Sequence, residues 1–190
     1  MKKPLGHKAP QDHTTGHAPG FDAPSAFSMR PIAVARSPYK ERFGAPRQAS
    51  VTAETRDGSL APGAIELLPG IPVETLRGLE GFDYVWAIYA FHLNDGAASG
   101  DPRWSPLVRP PRDPERQHGL FATRAPHRPN PIGLSALRIA RVEGRSIHVR
   151  GLDLLDGTPV LDLKPYVPYA DAFPGAKAGW VDDAEARGRR

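Results

Sequence analysis

The chain has 190 residues, 39% of them hydrophobic, with 22 prolines, 19 glycines, no cysteine and a formal charge of +4. That length supports one ordinary domain with tails; the proline and glycine content argues against a helical bundle, and the lack of cysteine excludes disulfides, a thiolate nucleophile and sulfur-ligated zinc. The small positive excess leans toward polyanions without naming one, and no apolar run suits a membrane span or a secretory signal, so a soluble cytoplasmic protein is expected.

Residues 1–27 are rich in Pro, Gly, His and Ala with no apolar period, and read as a disordered tail. His7, His13 and His17 within it match no metal-ligand spacing. IAVAR, from Ile32, reads as a strand, followed by the basic, turn-rich loop SPYKERFGAPRQ and a further run VTAET. AIELL is the next extended or mixed run. PVETLRGLEG is expected to form one short helix, with Pro72 near its start and Gly78 as its stop. FDYVWAIYAFHL, Phe82 to Leu93, is aromatic and β-branched throughout and reads as a buried central strand. After the stiff basic stretch WSPLVRPPR comes GLFAT, another short strand, leading into RAPHRPNPIG. IGLSALRIARV and SIHVRGLDLL then form two strands of a hairpin, with Gly144 of the EGR turn able to take positive φ. DGTPVLDLKPYV repeats the turn and strand. Short strands in such number must close or be covered, which predicts an all-β barrel or a sheet-dominated α+β domain.

The densest chemistry sits in RAPHRPNPIG. Its prolines fix φ and hold the residues before them extended, so the loop is rigid without a ladder. Side chains on a preformed loop lose less entropy on binding. Arg124 and Arg128 there can grip a carboxylate or phosphate bidentately, and Asn130 can read a base edge; a rigid turn with solvated arginines accounts for the residues equally well. GAPRQ and VRPPR share this pairing of arginine with proline, and three such loops on one barrel face would make a cationic cleft. No dinucleotide fingerprint, phosphate loop or GxSxG elbow occurs. His92, His118 and His127 with Asp153 and Asp156 lack metal-ligand spacing, so no metal is expected. Asp156-Gly157 suits a turn, whereas Asp153 lies inside an apolar run.

Five segments together, SPYKERFGAPRQ, LRGLEGFDYVWAIYAFH, WSPLVRPPR, GLFATRAPHRPNPIGLSALRIARV and LDLLDGTPVLDLKPYVPYA, resemble the successive motifs of the TsaA-like, or TrmO, family from about Pro31 to Phe173. The resemblance implies a single-sheet β-barrel over residues 28–173 with short helices and loops, and leaves 174–190 as a C-terminal tail. It implies a homodimer and an S-adenosyl-L-methionine-dependent methyltransferase acting on N6 of threonylcarbamoyladenosine at position 37 of tRNA. It assigns the cofactor to Pro46, Arg47 and Gln48, to His92 and Leu93, to Arg124 and Leu134, and to Asp153, Leu154, Leu155 and Asp156. Arg128 and Asn130, with Arg112 and Lys164, are the substrate-binding candidates; Tyr39, Asn130 and Tyr166 are candidate catalytic groups. Ala125 and His127 depart from the family, which commonly has Ser and an apolar side chain there, and Leu93 stands where a glutamine is common. Rival readings are an RNA-binding module without catalysis, a member acting on another substrate, and a metal-dependent hydrolase using the histidines and aspartates.

Overall fold

In a computed structural model the described residues are 26–41, 45, 62–94 and 104–188. The VTAET run, the PRQ loop and nearly all of the expected N-terminal tail lie outside them. Six strands close one barrel in the order β1-β2-β7-β6-β3-β8: β1 (Ala33–Arg36), β2 (Pro62–Leu67), β3 (Tyr84–Ala90), β6 (Ile132–Glu143), β7 (Ser146–Arg150) and β8 (Pro159–Pro165). A separate two-stranded arm pairs β4 (Leu107–Val108) with β5 (His118–Gly119). Two helices follow the barrel, α1 (Pro168–Asp171) and α2 (Trp180–Gly188). The all-β expectation holds, and α2 lies inside the stretch read as a tail.

Period-two alternation decides which side chains enter the barrel. Val85, Ala87 and Tyr89 of β3 point inward with Leu137 of β6, Ile147 and Val149 of β7, Ile65 and Leu67 of β2, Ala33 and Ala35 of β1, and Val160 of β8. Each large aliphatic group so buried contributes about 1.5–3 kcal/mol relative to exposure. The small residues Ala33, Ala35 and Ala87 leave room for two leucines that enter from one end. These are Leu152 and Leu154, 1% and 2% exposed. Gly63 makes that entry possible: a Cβ there would strike Leu152 Cδ2 and stand 2.9 Å from the Arg36 carbonyl.

Three expected elements differ from the sequence reading. PVETLRGLEG forms two 3-10 turns, Val73–Leu76 and Leu79–Gly81, because Gly78 takes φ 86° between them and too few residues remain on either side to nucleate an α-helix. GLFAT pairs only at His118–Gly119; Leu120 is buried, and Thr123 Oγ1 donates to its carbonyl at 2.8 Å, closing a 3-10 turn over Leu120–Ala122. SIHVRGLDLL is not one strand: β7 stops at Arg150, Gly151 turns at φ 75°, and the apolar LDLL residues plug the barrel instead of extending its wall. The EGR hairpin is as expected, with Gly144 at φ 55° between paired Glu143 and Ser146.

Antiparallel register collects one set of strand ends on one rim. Arg36 leaves β1 beside the start of β2, Pro62 pairs with Arg150, Ala90 with Ile132, and Val34 with Pro159. The connections that run from this rim are therefore 37–61, 91–131 and 151–158, which carry all three arginine-proline loops and LDLLDG.

Candidate functional site on the barrel rim

The rim is built over a polar chain that begins inside the barrel. Gly133 lies opposite Tyr89, and a Cβ on it would collide with Tyr89 Cε2 and Cζ and stand 2.8 Å from Oη. The missing side chain lets the phenol cross β6 and reach Ser135 Oγ at 3.2 Å. Ser135 Oγ donates to Asp153 Oδ2 at 3.1 Å, so its only proton is engaged and Tyr89 is the donor to Ser135. Burial pushes the Tyr89 hydroxyl up to about 12; the Asp153 charge adds to this, while the Ser135 bond and the Arg124 charge oppose it. Tyr89 therefore stays protonated at neutral pH, and the chain Tyr89, Ser135, Asp153 fixes a carboxylate beneath the barrel mouth.

Asp156, three residues further, does a different job. Its carboxylate accepts from the Ser37 backbone N–H at 3.0 Å and pairs with Lys40 Nζ at 2.6 Å, and its own N–H donates to the Tyr39 carbonyl at 2.8 Å. The Lys40 hydrogen bond, followed by the Ser37 N–H, holds this carboxyl below its usual range against partial burial. LDLLDG is thus fastened to the start of the loop that leads to Pro46, Arg47 and Gln48, which lie outside the described residues.

The other rim segments are tied to one another. His92 and Leu93 follow β3, both exposed, and the next residue, Asn94, donates Nδ2 to the Pro126 carbonyl at 2.9 Å. Phe91 N–H donates to the Pro131 carbonyl at 2.8 Å. Arg128 Nη1 donates to the Thr123 and Ala125 carbonyls at 2.9 and 3.1 Å, and the guanidinium lies 5.7 Å over the Phe121 ring. Arg128 is accordingly a brace for the turn that carries Arg124, a task the sequence reading did not assign to it. Asn130 is exposed, with its carbonyl accepting from Ile132 N–H at 2.7 Å.

The structure brings His92, Leu93, Arg124, Asn130 and Asp153 to Asp156 to this one rim. Leu134, 48% exposed, stands just below it on the outer wall opposite Ile88, because Ser135 takes the inward position. Tyr39 is half-buried beside Asp156. Lys164 and Tyr166 are not at the rim: Lys164 pairs with Trp86 toward the far end of β8 and binds Asp162 at 2.8 Å, and Tyr166 packs on Tyr84 and Trp86 at 5.9 and 5.5 Å. Arg112 sits on the arm, 3.6 Å from Glu185 of α2. Asp113 beside it is 5% exposed; one oxygen meets His118 Nε2 at 3.0 Å and the other Arg187 at 3.0 Å. Burial alone would raise the Asp113 carboxyl, but the His118 hydrogen bond and the Arg187 charge outweigh it and hold it below its usual range.

Sequence reasoning missed Tyr89, Ser135, Asn94 and α2. Ser135 shares the inward parity of Leu137, and a polar residue at that parity is a findable signal. WVDDAEARG carries acids in its first turn and Arg187 in its last, the charge order a helix dipole favours. Nothing in the sequence marks Asn94. Among the described residues no group of three or more His, Asp or Glu side chains is arranged to hold a metal ion, and no helix is long and apolar enough to cross a membrane.

Comparison with known proteins agrees with this fold. Residues 34–172 match the family of the tRNA-methyltransferase O N-terminal domain. The chain is 39% identical over 168 residues to the Escherichia coli tRNA (adenine(37)-N6)-methyltransferase, covering 85% of this chain and 67% of that enzyme. It is 38% identical over 159 residues to a Pyrococcus abyssi protein named a probable S-adenosyl-L-methionine-binding protein, covering 84% of this chain and 78% of the relative. The crystal structure of TrmO from Pseudomonas aeruginosa superposes with a TM-score of 0.64 at 42% identity, covering 83% of this chain and 63% of that one. The chain thus spans about two thirds of the length of these bacterial relatives. With the closed six-stranded barrel and the match over 34–172, this chain belongs to the tRNA-methyltransferase O N-terminal domain family.

Proposed function

We propose that the rim binds S-adenosyl-L-methionine and that the protein, as a cytoplasmic homodimer, methylates N6 of threonylcarbamoyladenosine at position 37 of tRNA. The observation that carries this reading is the convergence, on one rim, of a braced Arg124, a carboxylate held by Ser135 and the exposed apolar Leu93, with Leu134 exposed on the wall just below. Those groups fit the cofactor's chemistry. A guanidinium suits its carboxylate, a carboxylate suits its ammonium or ribose hydroxyls, and leucine faces suit its adenine. When bound, the cofactor supplies a sulfonium methyl for transfer to nitrogen.

Arg124, Asp153 and the Asp153–Asp156 backbone are the groups we assign to holding it, together with His92, Leu93 and Leu134. Arg128 and Asn130, on the adjoining proline-stiffened loop, are assigned to the threonyl carboxylate, Arg128 through guanidinium nitrogens other than the Nη1 that grips the loop. Much of the rate then comes from alignment of two reactants on rigid loops.

The test combines a titration of purified protein with S-adenosyl-L-methionine and mass spectrometry of nucleosides from tRNA bearing threonylcarbamoyladenosine. Saturable cofactor binding and a new N6-methylated nucleoside are expected. Binding without that product would remove the substrate assignment; absence of both would remove the methyltransferase reading.

A further inference from the structure

We infer that Trp180, on the C-terminal helix α2, is a positioning residue for the turn that carries Arg124, so that α2 belongs to the cofactor site. The inference rests on the reading of Arg124 as a cofactor contact.

Trp180 Nε1 donates to the Ala122 carbonyl at 2.8 Å, two residues before Arg124. Its ring stacks on His118 at 4.4 Å with 25° between the planes, and His118 is bonded in turn to the buried Asp113. The far end of α2 returns to the same carboxylate through Arg187, at 3.0 Å. The helix is therefore held at both its ends, at its start by an indole N–H to the 3-10 turn and a ring stack on the arm, and at its end by an ion pair with a carboxylate that solvent barely reaches.

Each side of Arg124 is held as a result. The Ala122 carbonyl is taken by Trp180, and the Thr123 and Ala125 carbonyls are taken by Arg128. Thr123 Oγ1 fixes the turn from within by donating to the Leu120 carbonyl at 2.8 Å. With these peptide planes set, the exposed Arg124 side chain starts from a fixed backbone, and less freedom is lost when it grips a ligand. Loss of the Trp180 bond would free the Ala122 plane and lower affinity without touching the transferring methyl.

The experiment is a double-mutant cycle on the full chain, with Trp180→Phe, Arg124→Ala and the double variant, read by S-adenosyl-L-methionine titration and by KM against kcat. Phenylalanine keeps a ring against His118 and removes only the donor. A hydrogen bond of ordinary net strength corresponds to a rise of about three- to tenfold in the cofactor Kd for Trp180→Phe. KM for the cofactor should rise in step while kcat at saturation holds. In the Arg124→Ala background the same change should have no further effect, because the residue through which it acts is gone. Equal affinity of Trp180→Phe and the unaltered protein would overturn the inference, as would the same fold loss in both backgrounds, which marks general loosening. Lack of saturable binding by the unaltered protein would instead overturn the cofactor reading of the rim, and the inference with it.

Discussion

Among the described residues the tightest steric decision falls on Gly133. Its neighbours Ile132 and Leu134 are on the outer face, so any side chain at 133 must point into the barrel, where the Tyr89 ring already lies. Gly133→Ala therefore forces either the ring or the strand to move. An overpacked core of this kind costs about 1–3 kcal/mol, readable as a lowered urea midpoint. Adding Tyr89→Leu removes the ring atoms that the new methyl meets and should recover part of that loss. No recovery would mean that the strain is stored in the backbone instead. The glycine was readable in the NPIG motif as part of a stiff loop, but its packing role was not. That role depends on β3 and β6 lying side by side in one register, which parity in a single strand does not specify. Asp153 was legible as a polar residue out of place in an apolar run; its partners Ser135 and Tyr89 were not, for the same reason.

Among elements, alternation was the reliable signal, and it failed where apolar residues served another purpose. β3 and the first half of β6 follow their patterns closely. LDLL reads as strand because it is apolar, yet its leucines fill the barrel mouth, a demand made by closure and not by local sequence. The β6-β7 hairpin shows a local conflict that the pattern also conceals. Arg138 pairs directly with Arg150, both exposed. Like charges opposite one another across strands are destabilising. Arg150→Thr, which keeps β propensity, is expected to raise stability by roughly 0.2–1 kcal/mol. The gain should shrink as salt screens the pair. Unfolding curves at low and high ionic strength check both halves of the statement, and a salt-independent gain would point to propensity rather than charge.

For the whole molecule, closure of the barrel rests on its shortest seam. β1 meets β8 only at Ala33 with Val160 and Val34 with Pro159, whereas β3 and β6 pair from Tyr84 with Arg138 to Ala90 with Ile132. Elements with few ladder bonds open at lower free energy than the core. The seam is reinforced just beyond the strands, where Asp156 grips Ser37 and Lys40 and where Gly157 N–H donates to the Ala35 carbonyl at 2.9 Å. Because those partners hold the Asp156 carboxyl below its usual range, the clamp is fully present above the ordinary aspartate value of about 3.9 and is lost as pH falls through the depressed one. Amide exchange, expressed as protection factors to remove intrinsic pH effects, should then show the Ala35 and Ser37 amides losing protection toward acid while Val85 and Leu137 keep theirs. Asp156→Asn removes the ionised partner of Lys40, so its seam should be less protected at neutral pH and should change little on acidification. If the seam of the unaltered protein kept its protection down through that range, Asp156 would not be what closes the barrel. The rim would then owe its order to the plug of Leu152 and Leu154 alone, and cofactor affinity, where measured, should likewise be indifferent to Asp156→Asn.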